Sequence, residues 1–172
     1  VTAGEFESAT SFGLLHELAG AMVVAGSATI AATDIIGTLQ VGGDLNLSSS
    51  VVRSGATVTA ANVVMTSTDV DGAVVSNGAM SAGNVSGDGS LEYAAGDFAT
   101  LEPGDLLTTG LLGLGRPAAA TTLAVYSPLI AGPAAVDYDR LSVRGTLHLA
   151  DAVFEPVFNA YVPSVGQSFV LI

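Results

Sequence analysis

The stretch that decides the fold runs from Gly37-Thr-Leu-Gln-Val41 into Gly43-Asp-Leu-Asn-Leu47. Each half alternates, with Leu39 and Val41 in one and Leu45 and Leu47 in the other. Alternation of period two is the mark of a strand with one buried face. A glycine opens each half and supplies a corner where φ can be positive. The first half recurs as Gly20-Ala-Met-Val-Val24, Gly55-Ala-Thr-Val-Thr59, Gly72-Ala-Val-Val-Ser76 and Gly89-Ser-Leu-Glu-Tyr93. The five opening glycines, Gly20, Gly37, Gly55, Gly72 and Gly89, are close to evenly spaced. The second half recurs from Gly26, Ala61, Gly78 and Gly96. A third register, Ile35, Val52 and Val70, falls just ahead of the next glycine.

Registers that stay in step over five copies define an internal repeat. A loop of this length with two or three corners closes into one rung, and rungs stack at about 4.8 Å with backbone paired to backbone. Inward side chains then form a thin continuous core, and each rung depends on its neighbours to bury its face. The expected fold is all-β, a single-stranded parallel β-helix (β-solenoid) of about 17–18 residues per rung. No sustained i, i+3, i+4 pattern supports a helical alternative. Residues 20–105 read as regular rungs and 106–172 as longer rungs of the same solenoid. Residues 1–19 read as an N-terminal cap: Ser11–Leu18 is either a short helix or a first distorted rung covering an open strand edge.

The composition suits a narrow, repeated core. Of 172 residues 49% are apolar, chiefly Ala and Val, and only 6% are aromatic. There are 21 Gly and no Cys, and the only cationic side chains are Arg53, Arg116, Arg140 and Arg144 against 16 acidic residues, giving a net charge of −12. Phosphate binding needs clustered Lys and Arg, so no nucleic-acid partner is expected. Anionic membrane surfaces are disfavoured for the same reason. Leu18–Thr33 is uncharged but too short and too rich in small residues to span a bilayer, so no membrane insertion is expected. The acidic residues Glu5, Glu7 and Glu17 ahead of it do not suit a signal peptide. The strand-like end Ser168-Phe-Val-Leu-Ile172 gives the expectation that the chain is cut from a longer one.

From about Phe98 the units lengthen. They read Leu101-Glu-Pro-Gly104, Gly110-Leu-Leu-Gly-Leu114, Tyr138-Asp-Arg-Leu-Ser-Val-Arg-Gly-Thr-Leu-His-Leu149 and Pro163-Ser-Val-Gly-Gln-Ser-Phe-Val-Leu-Ile172. Over residues 98–172 this order resembles the C-terminal rungs of bacterial autotransporter-like passenger domains and related surface β-helix proteins. The sequence departs from their pattern at Ala150-Asp-Ala-Val-Phe154, where the family usually carries Gly-Gly-Thr-Leu. The resemblance implies right-handed coiling and a place on or outside a bacterial cell. Within the segment, Asp139 is expected to accept backbone N–H groups at a corner and Tyr138 to pack on a neighbouring rung.

Chemistry is sparse. His16 and His148 are far apart, and alternation sends His148 outward, opposite Leu147 and Leu149. No nucleophile elbow and no phosphate loop is present. Asp69 and Asp71 lie at i, i+2 on one face and offer oxygen ligands to Ca²⁺, but no full calcium loop follows, and solvated corner aspartates explain them as well. Glycan stacking would need an aromatic stripe, for which only Tyr93, Phe98 and Tyr126 are candidates. An ice-binding face would need a Thr ladder. Thr57 and Thr59, aligned with Leu39 and Val41 of the preceding rung, do not make one. The expectation is therefore a non-catalytic, extracellular structural or adhesive module of a bacterial surface protein. Its partners would be copies of itself, neighbouring segments of a longer chain, or a glycan or host surface. The alternative is a carbohydrate-active or tailspike-type β-helix acting on polysaccharide.

Overall fold

The computed structural model describes residues 5–6, 10–12, 17–104 and 108–172. Among them the chain is all-β and contains no helix, hence none that could cross a membrane. One sheet holds eight strands in sequence order: Glu5–Phe6, Ala21–Val24, Thr38–Val41, Thr57–Ala60, Ala73–Ser76, Ser90–Glu92, Leu111–Leu114 and Arg140–Val143. Every neighbouring pair is parallel. The second sheet runs beside it through Thr10–Phe12, Ala28–Ala31, Asp44–Ser48, Asn62–Thr66, Ala79–Gly87, Ala95–Pro103 and Ala120–Tyr126 to Thr146–His148 and Val153–Phe154. A branch of short strands, Glu17–Leu18, Asp34–Ile35, Val51–Val52 and Thr68–Val70, joins it at Ala79–Gly87. A third, two-stranded parallel sheet pairs Leu129–Ile130 with Val157–Phe158.

Each strand thus pairs with the equivalent strand one turn of chain away. Ala21 faces Thr38, and Ala73 faces Ser90, each across a single repeat. Later turns are longer, so that Leu111 faces Arg140. Period-two alternation then sends the same register positions inward in every turn. Met22, Leu39, Val58, Val74, Leu91 and Leu114 form one buried column; Ile30, Leu47, Met65, Ala82, Phe98 and Leu123 form a second. Leu18, Ile35, Val52 and Val70 form the third.

Three expectations need correction. First, Gly55 does not occupy the position of Gly37. Aligning the two glycines would set Thr38 opposite Ala56, whereas Thr38 pairs with Thr57. It is Ala56, buried at 2% exposure, whose carbonyl accepts from Ala73 as the Gly37 carbonyl accepts from Thr57. Gly55 is an extra corner residue at φ +81°, inside a turn closed by the Ala56 N–H on the Arg53 carbonyl. The one-residue difference exchanges the two faces: Val58 and Ala60 point inward, and Thr57 and Thr59 stack on Thr38 and Gln40.

Second, Gly96 is not a corner. It pairs with Met80 and faces the interior, where a Cβ would lie 2.5 Å from the Tyr93 ring and 2.6 Å from the Phe98 ring. The two rings fill the space that a side chain at Gly96 would take, with centroids 5.4 Å apart.

Third, the helix reading of Ser11–Leu18 gives way where it can be compared, because Thr10–Phe12 and Glu17–Leu18 are strands that pair with the following turn. His16 and its three preceding residues lie outside the described residues, as does the 105/106 boundary.

Positive φ also occurs where no glycine marks it. Ala32, Ser49 and Ser67 adopt φ of 50°, 48° and 51° in consecutive turns, at the corner that leads into the short strands. At the departure from the passenger pattern, Asp151 takes φ +66° and the Ala152 N–H closes on the Leu149 carbonyl. The turn is made without glycine, and Val153–Phe154 returns to the sheet.

Candidate functional site

The corner after Thr68–Val70 collects most of the polar chemistry. Thr68 and Val70 are inward, so alternation turns Asp69 outward, and Asp71 follows as its N–H meets the Val52 carbonyl at 2.8 Å. Both aspartates line one groove of about 410 Å³ with Arg53, Asp88 and Thr108. The expected common face is therefore present. Arg53 and Asp88 come from the turns before and after. Stepping one repeat length from Asp71 in either direction would have found both.

Electrostatics in this groove centre on Arg53. Its Nη2 donates to Asp34 Oδ2 at 2.7 Å and its Nε to the same oxygen at 3.3 Å. The Asp34 hydrogen bond and charge raise the guanidinium pKa above its ordinary value, with smaller contributions from Asp71 and Asp69. The pair is solvent-exposed, so it adds little to stability. Asp69 in turn accepts from Ser86 Oγ at 3.0 Å. Among the described residues no three Asp, Glu, His or Cys side chains converge as a metal would require. Asp69 and Asp71 bring two carboxylates to the groove, with Arg53 already beside them.

Asp69 also stands on the wall of a neighbouring groove of about 320 Å³, lined by Ser49, Ser67, Asn84, Ser86 and Glu102 among others. This surface offers hydroxyls, an amide and two carboxylates, a set able to hydrogen-bond water or polyhydroxylated ligands. It carries no aromatic side chain. The three aromatic candidates lie in the core instead: Tyr93 is 0%, Phe98 1% and Tyr126 4% exposed. His148 is exposed on Thr146–His148, while Leu149 is exposed as well rather than opposite to it.

Tyr93 and Tyr126 have structural roles. The Tyr93 hydroxyl is 2.9 Å from Thr121 Oγ1, and burial pushes its pKa up to about 12 despite that hydrogen bond. Tyr126 is shifted further in the same direction by burial and by the charge of Asp139. A phenol protonated in the fold but ionising near pH 10 when unfolded stabilises the fold fully below about pH 10. That contribution is lost as pH rises toward 12. Urea midpoints measured between pH 9 and pH 12 are expected to fall with rising pH, and less steeply in Tyr93→Phe. Equal slopes for the two proteins would remove Tyr93 as the cause.

Asp139 behaves as its sequence setting suggests, whereas Tyr138 meets the C-terminal tail outside any strand. Asp139 is 1% exposed, and its Oδ1 accepts the Gly110 N–H at 2.8 Å while Oδ2 accepts the Leu129 N–H at 2.7 Å. One carboxylate thus ties three separate segments together. Tyr138 packs edge-on against Phe169, with centroids 5.3 Å apart. Comparison with known proteins adds no relative: no family model, no curated protein and no solved structure matches the chain.

Proposed function

We propose that the chain is a parallel β-solenoid acting as a non-catalytic, extracellular structural or adhesive module of a bacterial surface protein, of the autotransporter-passenger kind. The observation that carries the reading is the turn-on-turn pairing: Ala21, Thr38, Thr57, Ala73 and Ser90 form one continuous parallel ladder through five consecutive turns. Buried columns run unbroken through them. Such a stack makes a stiff rod whose length is set by the number of turns.

The motifs of the passenger resemblance have architectural work here. Gly104 of the Leu-x-Pro-Gly turn sits at φ +75°, and Asp139 bridges two backbone N–H groups. The perturbed tyrosines are accounted for by burial, and the grooves are open, polar and without aromatic side chains. The acidic surface favours solubility through net self-repulsion. Adhesion would then use the outward faces, with the Asp69 grooves as the place where glycan hydroxyls or Ca²⁺ would be sought.

Small-angle X-ray scattering of the purified chain, combined with binding to a glycan array with and without millimolar Ca²⁺, tests the proposal. An elongated particle that binds without altering the glycan is expected. A compact scattering profile would sink the rod, and release of sugar from a bound glycan would replace adhesion with catalysis.

A further inference from the structure

The outward face of the eight-stranded sheet is interrupted in one place. One outward column runs Ala21, Thr38, Thr57, Ala73, Ser90, Gly113 and Ser142. Its neighbour runs Val23, Gln40, Thr59, Val75 and Glu92, then passes through Gly115 to Arg144. In both columns the side chains stop for one turn and resume in the next. Gly113 and Gly115 thus floor a trough of about 190 Å³, walled by Ser90 and Glu92 on one side and by Ser142 and Arg144 on the other.

The two glycines differ in what they are for. Gly115 has φ +78°, and a Cβ there would lie 2.5 Å from the Arg144 carbonyl oxygen. Gly113 has no positive φ, and the nearest atom to its Cβ would be the Ser90 Cβ at 3.5 Å, an ordinary contact. Neither the turn nor the packing asks for glycine at 113. Its missing side chain leaves the trough open. Charge singles out the same place. The chain carries a net charge of −12 with four arginines, and three of them, Arg116, Arg140 and Arg144, lie on the strand of Gly113, the strand after it or the residues directly following them. Arg116 Nε stands 3.8 Å from Glu92 Oε2, an exposed pair of little strength. Among the described residues, Arg140 and Arg144 make no ion pair.

We propose that this trough binds one ring of an acidic sugar, a uronate or a sialate, by its carboxylate. Arg144 is exposed and lines the trough, and its planar fork of N–H donors suits a carboxylate bidentately. The hydroxyls of Ser90 and Ser142 and the carboxylate of Glu92 supply partners for ring hydroxyls. Glu92 and Arg144 stand two turns apart, about 9.6 Å at about 4.8 Å per turn, so one ring reaches from wall to wall. The volume is below the roughly 300–1,000 Å³ of pockets that enclose drug-sized ligands, which suits a single unit of a glycan. Glu92 on the opposite wall disfavours multiply charged anions such as phosphate. The Asp69 groove walls carry carboxylates and would repel an acidic sugar, so the trough is a separate site. It rests on the adhesive reading above and gives that reading a ligand class.

Amide chemical shifts of the ¹⁵N-labelled chain, followed on titration with glucuronate, with N-acetylneuraminate and with glucose as the uncharged control, test the site. At least one acid is expected to shift the Ser90, Gly113, Ser142 and Arg144 amides, and which of them does so identifies the sugar; glucose is expected to leave them in place. Gly113→Val, which fills the floor, is expected to abolish the response. Arg144→Gln, on an exposed side chain, is expected to weaken binding about tenfold, the scale of one charge-assisted hydrogen bond. Circular dichroism checks that each variant keeps its strand content, and Arg144→Gln decides alone if Gly113→Val does not fold. Unmoved amides with both acids, an equal response to glucose, or undiminished binding by either folded variant overturns the site. Scattering keeps the two readings apart: an elongated particle without acid binding removes the site and leaves the rod, and a compact particle that binds removes the rod and leaves the site.

Discussion

Asp139→Ala is expected to cost about 2–4 kcal/mol, the scale for leaving two backbone donors without their acceptor. The side chain is 1% exposed, and its two oxygens take the Gly110 and Leu129 N–H groups. Truncation leaves the buried Leu129 N–H and the part-buried Gly110 N–H without the acceptor they were folded around, and an unsatisfied buried group costs about 1–3 kcal/mol. Asp139→Asn keeps one carbonyl oxygen but turns an NH₂ toward the other N–H, so it should recover only part of the loss. The Asp139 carbonyl also accepts from the Tyr126 hydroxyl at 3.2 Å, so loosening this segment reaches the core aromatic above it. Urea unfolding followed by circular dichroism measures the effect. A midpoint within error of wild type for Asp139→Ala would show that the bridge between segments 110, 129 and 139 is dispensable.

The second large effect separates two glycines that look alike in sequence. A Cβ on Gly37 would lie 1.9 Å from the Gly20 carbonyl oxygen and 2.7 Å from the Gly20 nitrogen. Backbone of one turn would have to move away from backbone of the next, breaking the Thr38-to-Gly20 hydrogen bond of 2.7 Å on the way. Gly37→Ala is therefore expected to lose about 3 kcal/mol, the upper part of the range for overpacking. Gly20 has φ +82° and nothing within 4 Å of a Cβ, so Gly20→Ala should cost only the left-handed strain of about 1–2 kcal/mol. Thermal melts of the two variants give the comparison directly. Equal losses would mean that close approach is not what Gly37 is for.

That distinction explains where the sequence could be read and where it could not. Alternation around Leu39, Leu45 and Ile35 placed three inward columns, the first except at the turn of Gly55 and the second except at Gly96, because burial on one face imposes the period whatever the turn. Spacing of glycines located the turns to within a residue or two. It failed at Gly55, since a glycine needed for positive φ and one needed for close approach are the same letter. The failure exchanged the faces of Thr57 and Thr59, which a slip of one residue always does.

Gly96 misled for a different reason: its smallness answers to Tyr93 and Phe98, large residues whose convergence on it is a tertiary fact. The left-handed corners at Ala32, Ser49 and Ser67 carry no residue signature at all. In the groove, Asp69 and Asp71 were legible from i, i+2 spacing along one strand. Arg53 and Asp88 needed the stacking offset, and the Asp34 contact needed side-chain geometry.

The pairing scheme has a mechanical corollary. In the proposed solenoid, hydrogen bonds between turns point along the stacking axis; each strand from Ala21–Val24 to Ser90–Glu92 is bonded to the equivalent strand before and after it. A pull on the two ends of the chain therefore loads these bonds in series, at the outermost turn first, rather than shearing many strands at once. The chain would yield by peeling, one turn at a time. Each event between Ala21 and Ser90 would release a short and nearly constant length of chain, the span from Ala21 to Thr38 or from Ala73 to Ser90. Extension would come in small, repeatable steps, while the turns not yet reached would keep their core columns closed.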